Sequence, residues 1–346
     1  MKRILSLILS VLMLTSCLVS FGTQAYAKTT KEKVNGVSYT YKIEDGKAII
    51  TYVNYDDFEA LEDETYTIPY KLGGKTVKEI RFKKNKVPHP WNENIKTVKI
   101  GRYLRYINDN FFASCTNLKK IIVNSKNKSF KVKSGVLFCT YNKKKTLVCY
   151  PSAKSEKSYS IPKNVKIIGA SAFCHNKNLR SIKVPKGVTT IKRSAFEHTK
   201  VTSFTLPKSV TTIENCAFMD CYKMKKLDLS KTKIKKISGG LCSSCMYDEE
   251  SYLNSVKLPS TVTKVEGFAF AGQSALKTFT FPSSVKNIGE NVFWICDNLK
   301  KVTVKNPKAK IHKNAFADLK ITLCAKKNST AHKYAKSHKD IKFKAL

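Results

Sequence analysis

The chain has 346 residues and carries 64 Lys and Arg against 25 Asp and Glu, a net charge of +39. Only six of the basic residues are arginine. That composition speaks against a dedicated nucleic-acid surface and for a salt-dependent, non-specific pull on polyanions. The length suits two globular domains or one long repeat array.

Residues 1–27 read as an export signal: Lys2-Arg3 supplies the basic start, Ile4 to Leu14 the apolar run, and Ala25-Tyr26-Ala27 a cleavage site. An alternative reading takes Leu14-Thr15-Ser16-Cys17 as a lipobox, with Cys17 lipidated. The run is too short for a spanning helix, and no later run reaches membrane length.

Residues 28–64 read as a linker and an N-terminal β cap. Residues 28–34 are polar. Val37, Tyr39, Tyr41 and Ile43 then alternate with polar residues, Asp45-Gly46 supplies a tight turn, and Ala48 to Val53 is a second β-rich run. Asp56, Asp57, Glu59, Glu62, Asp63 and Glu64 follow as an acidic loop. Its spacing lacks the alternating ligands and central glycine of a calcium loop, so a solvated loop is expected.

A solenoid is expected over residues 65–323. Ile68-Pro69, Val77 and Ile80 open a degenerate first repeat, interrupted by Pro88-His89-Pro90-Trp91 and resumed at Ile95, Val98 and Ile100. Gly74-Lys75-Thr76 resembles part of a phosphate loop, but position 69, where that motif needs Gly, is Pro.

An Ala-Phe landmark then sets the register. Phe112, Phe173, Phe196, Phe218, Phe270, Phe293 and Phe316 mark seven rungs, with 23, 22, 52, 23 and 23 residues between them from Phe173 onward. A period in this range is that of a coil of stacked units. The 52-residue gap resolves when Ile234, Ile237, Leu241 and Cys242 are aligned on the V-x-x-I and Ala-Phe positions. That gives eight clear rungs, with a short insert near residues 246–252. A second insert near 130–157 contains GVLFCTYNKKKTLVCYP, which reads as a hairpin or an alternative rung. Residues 324–346 form a C-terminal cap. Within it Ala331, Tyr334, Ala335 and His338 lie at helical spacing behind Ser329 as N-cap.

In each rung a short strand points alternate residues inward, such as Ile182, Phe204, Val256, Phe279 and Val302. Proline ends the strand because it has no N–H to give the ladder. At about 4.8 Å per rung, eight rungs make a sheet about 40 Å long. The outward residues are Ser181 and Lys183, Ser203 and Thr205, Lys226 and Asp228, Ser255 and Lys257, Thr278 and Thr280, and Lys301 and Thr303. They describe a flat, hydroxyl-rich, mildly basic face, the candidate surface for a partner. Lys163, Lys186 and Lys208, just past the prolines, line one edge.

The motifs IPKNVKIIGASAF, VPKGVTTIKRSAF, LPKSVTTIENCAF and FPSSVKNIGENVF resemble the BspA-like (Treponema pallidum-type) leucine-rich repeats of bacterial surface and secreted proteins. The resemblance covers most of the chain beyond the export signal. It implies a curved solenoid with a parallel sheet, used in adhesion or protein binding, and supplies no catalytic residues.

Ten cysteines follow the export signal, including Cys242-Ser243-Ser244-Cys245. The register places Cys242 on the Phe landmark, and Cys115, Cys221, Cys245 and Cys296 three residues after theirs, so they read as small core residues. Two pairs could be bridged: Cys221 with Cys245 on neighbouring rungs, and Cys139 with Cys149 across the insert's turn. His175 and His198 share a position on adjacent rungs without a recurring third ligand and read as turn residues. Hydrolase and metalloprotease signatures are absent. The expectation is therefore an exported, monomeric leucine-rich-repeat binding protein without catalysis or cofactor. Its partner would be a protein, an acidic glycan or a cell-wall polymer, and the alternative is a passive structural component of the envelope or exported matrix.

Overall fold

A computed structural model describes residues 29–61, 63–82, 93–244 and 251–346. Residues 1–27, read from the sequence as an export signal with Cys17 within it, Glu62, the Pro88–Trp91 break, Cys245 and most of the 246–252 insert lie outside the described residues. Among the described residues the chain winds a β-solenoid of about 11 turns, closed by one short helix.

Each full turn contributes to three ladders. The first holds the strands that open each repeat, most of them followed by proline, in separate parallel groups: Ser203–Thr205, Lys226–Asp228 and Ser255–Lys257 in one, and Thr278–Phe281, Lys301–Val304 and Thr322–Ala325 in another. The second holds the V-x-x-I segment: Val165–Ile168, Thr190–Ile191 and Thr212–Ile213 pair in parallel, as do Lys236–Ile237, Lys264–Val265, Asn287–Ile288 and Lys310–Ile311.

The third ladder is made of turns. Phe173 N–H donates to Ala195 O at 2.8 Å, Phe196 N–H to Ala217 O at 2.9 Å and Phe218 N–H to Leu241 O at 2.8 Å. Cys242 and Phe270 continue the series, donating to Ala269 O and Val292 O. Residues two before and two after the landmark adopt positive φ, including Ser171 and His175, Ser194 and His198, and Cys216 and Asp220. That is why small or polar residues dominate both positions. At Gly272 a Cβ would lie 2.1 Å from the carbonyl oxygen of Ser244, so only glycine fits.

Inside the coil the landmark rings stack. Phe173 and Phe196 are 5.2 Å apart at 16°, and Phe196 and Phe218 are 5.3 Å apart at 6°. Buried Cys242 occupies the position between Phe218 and Phe270, as its register predicts.

The insert near 130–157 is both things its sequence allows. Val136–Tyr141 and Lys144–Cys149 form an antiparallel hairpin, and the second strand joins the second ladder in parallel beside Val165–Ile168. Tyr150 N–H donates to Ala172 O at 2.7 Å, and its ring stacks on Phe173 at 5.3 Å. Tyr150 is thus a landmark residue that the Phe count passes over. The hairpin divides the core: Val136, Phe138 and Leu147 pack into the C-terminal cluster, whereas Leu137 and Cys149 pack into the N-terminal one.

Both ends are closed. Val37–Glu44 and Lys47–Val53 form the expected hairpin, and Lys47–Val53 pairs in parallel with Lys75–Ile80, joining the cap to the coil. The stretch read as a linker is instead an edge strand, Thr30–Val34, paired with Val37–Glu44. Its alternate residues stay exposed because only one face meets the cap. The acidic loop contains a 3-10 turn, Asp56–Ala60, that buries Phe58, and Asp57 accepts the Ser38 N–H at 2.7 Å. At the C-terminus, helix α1 (Thr330–Lys336) starts at Ser329, whose hydroxyl accepts from His332 N–H at 3.2 Å. It buries Ala331, Tyr334 and Ala335; His338 follows the helix. A last strand, Lys342–Ala345, extends the first ladder beyond the point where the repeat pattern ends.

Candidate functional site: the outward face of the first ladder

The ladder brings the predicted outward residues into columns. Ser203, Lys226 and Ser255 are direct neighbours, and so are Thr205, Asp228 and Lys257. Thr278 lies beside Lys301, and Thr280 beside Thr303. Ser181 and Lys183 pair with Ser158 and Ser160. These side chains are exposed or half-buried, while Ile182, Phe204, Leu227, Phe279 and Val302 between them are buried. Val256 is covered only in part.

Thr303 departs from this pattern and is 9 % exposed. It is a short side chain flanked at ladder spacing by Thr280 and by the buried Cys324, so it offers a partner little surface. Asp228 is exposed in part but already engaged. Its Oδ1 accepts from Ser230 N–H at 2.9 Å and from the Ser230 hydroxyl at 2.6 Å. Partial burial pushes its carboxyl up, but these bonds and the nearby Lys257 and Lys231 hold it below the usual carboxylate range. It stays anionic and fixes the turn.

Sequence reasoning missed how far the face extends. Thr65, Thr97 and Lys120 form one column at its N-terminal end, and Thr322 and Lys342 continue the Thr278–Lys301 column at the other. The strand Lys342–Ala345 alternates polar and apolar residues and could have been found by that signal. Lys163, Lys186 and Lys208 are all exposed. Positive charge therefore lies both on the face and along its proline edge, and it would draw anionic groups at moderate salt.

The outward side of the second ladder is electrostatically different. Glu266 bridges two lysines, at 3.4 Å to Lys236 and 3.1 Å to Lys264. Glu266 offsets one of these two positive charges within the chain, and Lys310, further along the same column, is exposed.

A third exposed feature lies on the turn ladder. Phe268 and Trp294 are 38 % and 41 % exposed and meet edge to face at 6.1 Å. Phe268 holds φ at +56° and Ile295 at +56°, in columns where other rungs place Ser, Asn, Gly, Cys, His or Asp. A bulky side chain there costs about 1–2 kcal/mol. Aligning the columns, rather than the landmark alone, would have exposed both.

The cysteines are not a reactive constellation. No disulfide forms among the described residues. Cys139 lies opposite Thr146 and Cys149 opposite Leu137, so the offset of the hairpin separates that candidate pair. Cys221 donates to Phe196 O at 3.0 Å, and its suggested partner Cys245 lies outside the described residues. Burial pushes the thiols of Cys115, Cys221 and Cys296 up to about 12 and that of Cys242 well above its ordinary value.

His175 and His198 stack at 4.5 Å and 14°. His198 Nε2 lies 3.6 Å from Asp220 Oδ2 and 3.9 Å from Glu197 Oε1. Burial, aided by the neighbouring His198 and Lys177, lowers His175 to about 4. Among the described residues, no group of three or more His, Cys, Asp or Glu is placed to hold a metal ion, and no helix is long and apolar enough to cross a membrane.

The family description "BspA type Leucine rich repeat region" matches in six copies, over residues 91–144, 148–249 and 244–340. Among solved structures, a leucine-rich repeat protein from Eubacterium ventriosum superposes with a TM-score of 0.59 at 22% identity, covering 84% of this chain and 95% of that one. The pneumococcal vaccine antigen PcpA superposes with a TM-score of 0.53 at 17% identity, covering 92% of this chain and 98% of that one. No curated protein matches the chain. The repeat register, the parallel ladders and the family match over most of the sequence agree: the chain belongs to the BspA-type leucine-rich repeat proteins of bacteria.

Proposed function

We propose that the chain is an exported binding protein, secreted or held at the bacterial surface, that engages a partner through the first-ladder face and its basic proline edge. The partner is a protein, an acidic glycan or a cell-wall polymer, and binding involves no catalysis or cofactor. The observation that carries this reading is the column geometry. Ser181, Lys183, Ser203, Thr205, Lys226, Ser255, Lys257, Thr278, Thr280 and Lys301 stand outward on short strands, each hydrogen-bonded in parallel to at least one neighbouring rung. Such a face is rigid before binding, so ordering it costs a partner little. The likeness to a pneumococcal vaccine antigen fits exposure at a cell surface.

The test is capture by the mature protein from surface extracts at physiological salt, compared with a Lys183→Glu, Lys257→Glu, Lys301→Glu triple variant. Loss of capture in the variant supports the face. Retention on heparin or cell wall that vanishes at modest salt would reduce the attraction to charge alone. The competing reading is a passive structural component of the envelope, favoured by the self-contained ladders. It predicts retention in the wall fraction with no partner captured.

A further inference from the structure

The hairpin that divides the core also builds a cleft. Beside it, facing the strand Tyr106–Ile107, a concavity of about 710 Å³ opens toward the second-ladder side. This volume falls in the range of sites that enclose a small ligand or a side-chain cluster. Its floor is more apolar than polar: Ile107, Phe112 and Phe130 are each 9 % exposed or less and Val148 and Ile167 are half-buried, with Asn108, Asn110, Ser129, Thr140 and Thr146 also in the lining.

The rim is charged. Arg81, Arg105, Lys144 and Lys192 face it together with Glu79 and Asp109, four cations against two carboxylates. Both carboxylates are engaged, Glu79 with Arg81 and Asp109 Oδ2 with Lys192 Nζ at 3.0 Å. Arg105 Nη1 donates to the carbonyls of Arg102 and Leu104 at 2.9 and 3.2 Å, which fixes its guanidinium before any ligand arrives. Tyr106 and Tyr141, 42 % and 73 % exposed, stand at the mouth.

We infer that this cleft seats a short acidic peptide segment of the partner, with an apolar side chain on the floor and flanking carboxylates on Arg105 and Lys144. The inference rests on the reading of the chain as a binding protein and names a second contact for it. A peptide fits better than a saccharide because the lining is more apolar than polar, and Ile107, Phe112, Phe130, Val148 and Ile167 offer no hydrogen bonds to hydroxyl groups. Burying sugar hydroxyls there would leave them unpaired, whereas an apolar side chain needs none. The pattern of a buried anchor within a charged rim is that of an interface hot spot.

The test uses the full mature chain and fluorescein-labelled hexapeptides. Their two central positions are drawn from Leu, Ile, Phe, Tyr and Trp, and Asp or Glu flank them on both sides. Controls replace the central pair with Ser-Gly or the acids with Lys, and trigalacturonate is the competing saccharide. Saturable binding by at least one acidic, apolar-centred peptide is expected at physiological salt. Lys144→Glu and Tyr141→Ala should each weaken it about tenfold, with an unchanged circular dichroism spectrum. Lys257→Glu on the ladder face should leave it unchanged. The assignment is overturned if no such peptide binds, if Ser-Gly peptides bind equally well, if trigalacturonate displaces the peptide, or if Lys144→Glu has no effect. Capture of a surface partner that is lost with the ladder triple variant but unaffected by the cleft variants would overturn the cleft alone.

Discussion

The hydroxyl of Tyr334 accepts the N–H of Phe316 at 3.3 Å. In the turn ladder the landmark N–H groups of Tyr150, Phe173, Phe196, Phe218, Cys242 and Phe270 each find a carbonyl on the following rung, and Phe316 lies on the last rung, where no such carbonyl follows. Tyr334, carried there by α1, takes that carbonyl's place and donates in turn to Lys313 O at 3.1 Å. Tyr334→Phe removes only the hydroxyl and strands a buried N–H. We expect a loss of about 1–3 kcal/mol, read as faster amide exchange confined to the last rungs. Uniform acceleration along the chain would contradict the capping role.

The landmark position tolerates either a ring or a thiol, but not at equal energetic weight. Phe196 stacks on Phe173 and Phe218 and also meets Phe204 at 4.7 Å. Phe196→Ala should cost about 3–5 kcal/mol, whereas Cys242→Ala should cost about 1 kcal/mol. Urea denaturation of the two variants would check the ranking.

Thiol chemistry should follow burial. Iodoacetamide at pH 8 should leave Cys115, Cys149, Cys174, Cys221, Cys242 and Cys296 unmodified in the folded protein, because burial holds every one of these thiols protonated. After unfolding without reductant, all ten cysteines beyond residue 27 should react. Fewer thiols by mass spectrometry would reveal a bridge.

His175 makes stability depend on pH. Its folded-state value, about 4, lies below the ordinary 6.5, so between these pH values the unfolded chain takes up a proton that the folded chain refuses. The contribution is complete above 6.5 and is lost as pH falls toward 4, a change of about 3 kcal/mol. His175→Asn keeps a residue that accepts positive φ and should flatten this acid limb. An unchanged slope between pH 6.5 and 4 would assign acid sensitivity elsewhere.

Phe268 combines exposure with strained backbone. Phe268→Asn should raise stability by about 1 kcal/mol, since Asn adopts φ of +56° more readily and the lost ring contact is small. A destabilised variant would mean that the edge-to-face contact with Trp294 outweighs the strain.

Much of the coil was legible in the sequence because each rung repeats one constraint. A ring or small residue must follow Ala at the turn, and tracking it through Cys242 located a rung that composition would hide. Tyr150 escaped because its rung begins inside an antiparallel hairpin, so the usual strand and V-x-x-I phrase do not precede it. The strand Thr30–Val34 escaped because an edge strand needs only backbone pairing on one side, which leaves few apolar residues to betray it. Thr303 alternates correctly, yet it is buried in its column between Thr280 and Cys324; that depends on neighbours rather than on its own segment. The cleft was illegible for a different reason. Arg81, Arg105, Lys144 and Lys192 converge only after the hairpin is set against the N-terminal rungs.

The hairpin of residues 136–149 has one more consequence. Its two faces serve different cores, much as a party wall serves two houses, so packing on one side is insulated from changes on the other. Rungs can be gained or lost by duplication beyond it without disturbing the N-terminal half. Rungs past Lys192, the furthest residue that lines the cleft, can therefore vary in number and in displayed surface while the wall, and the cleft beside it, stay intact.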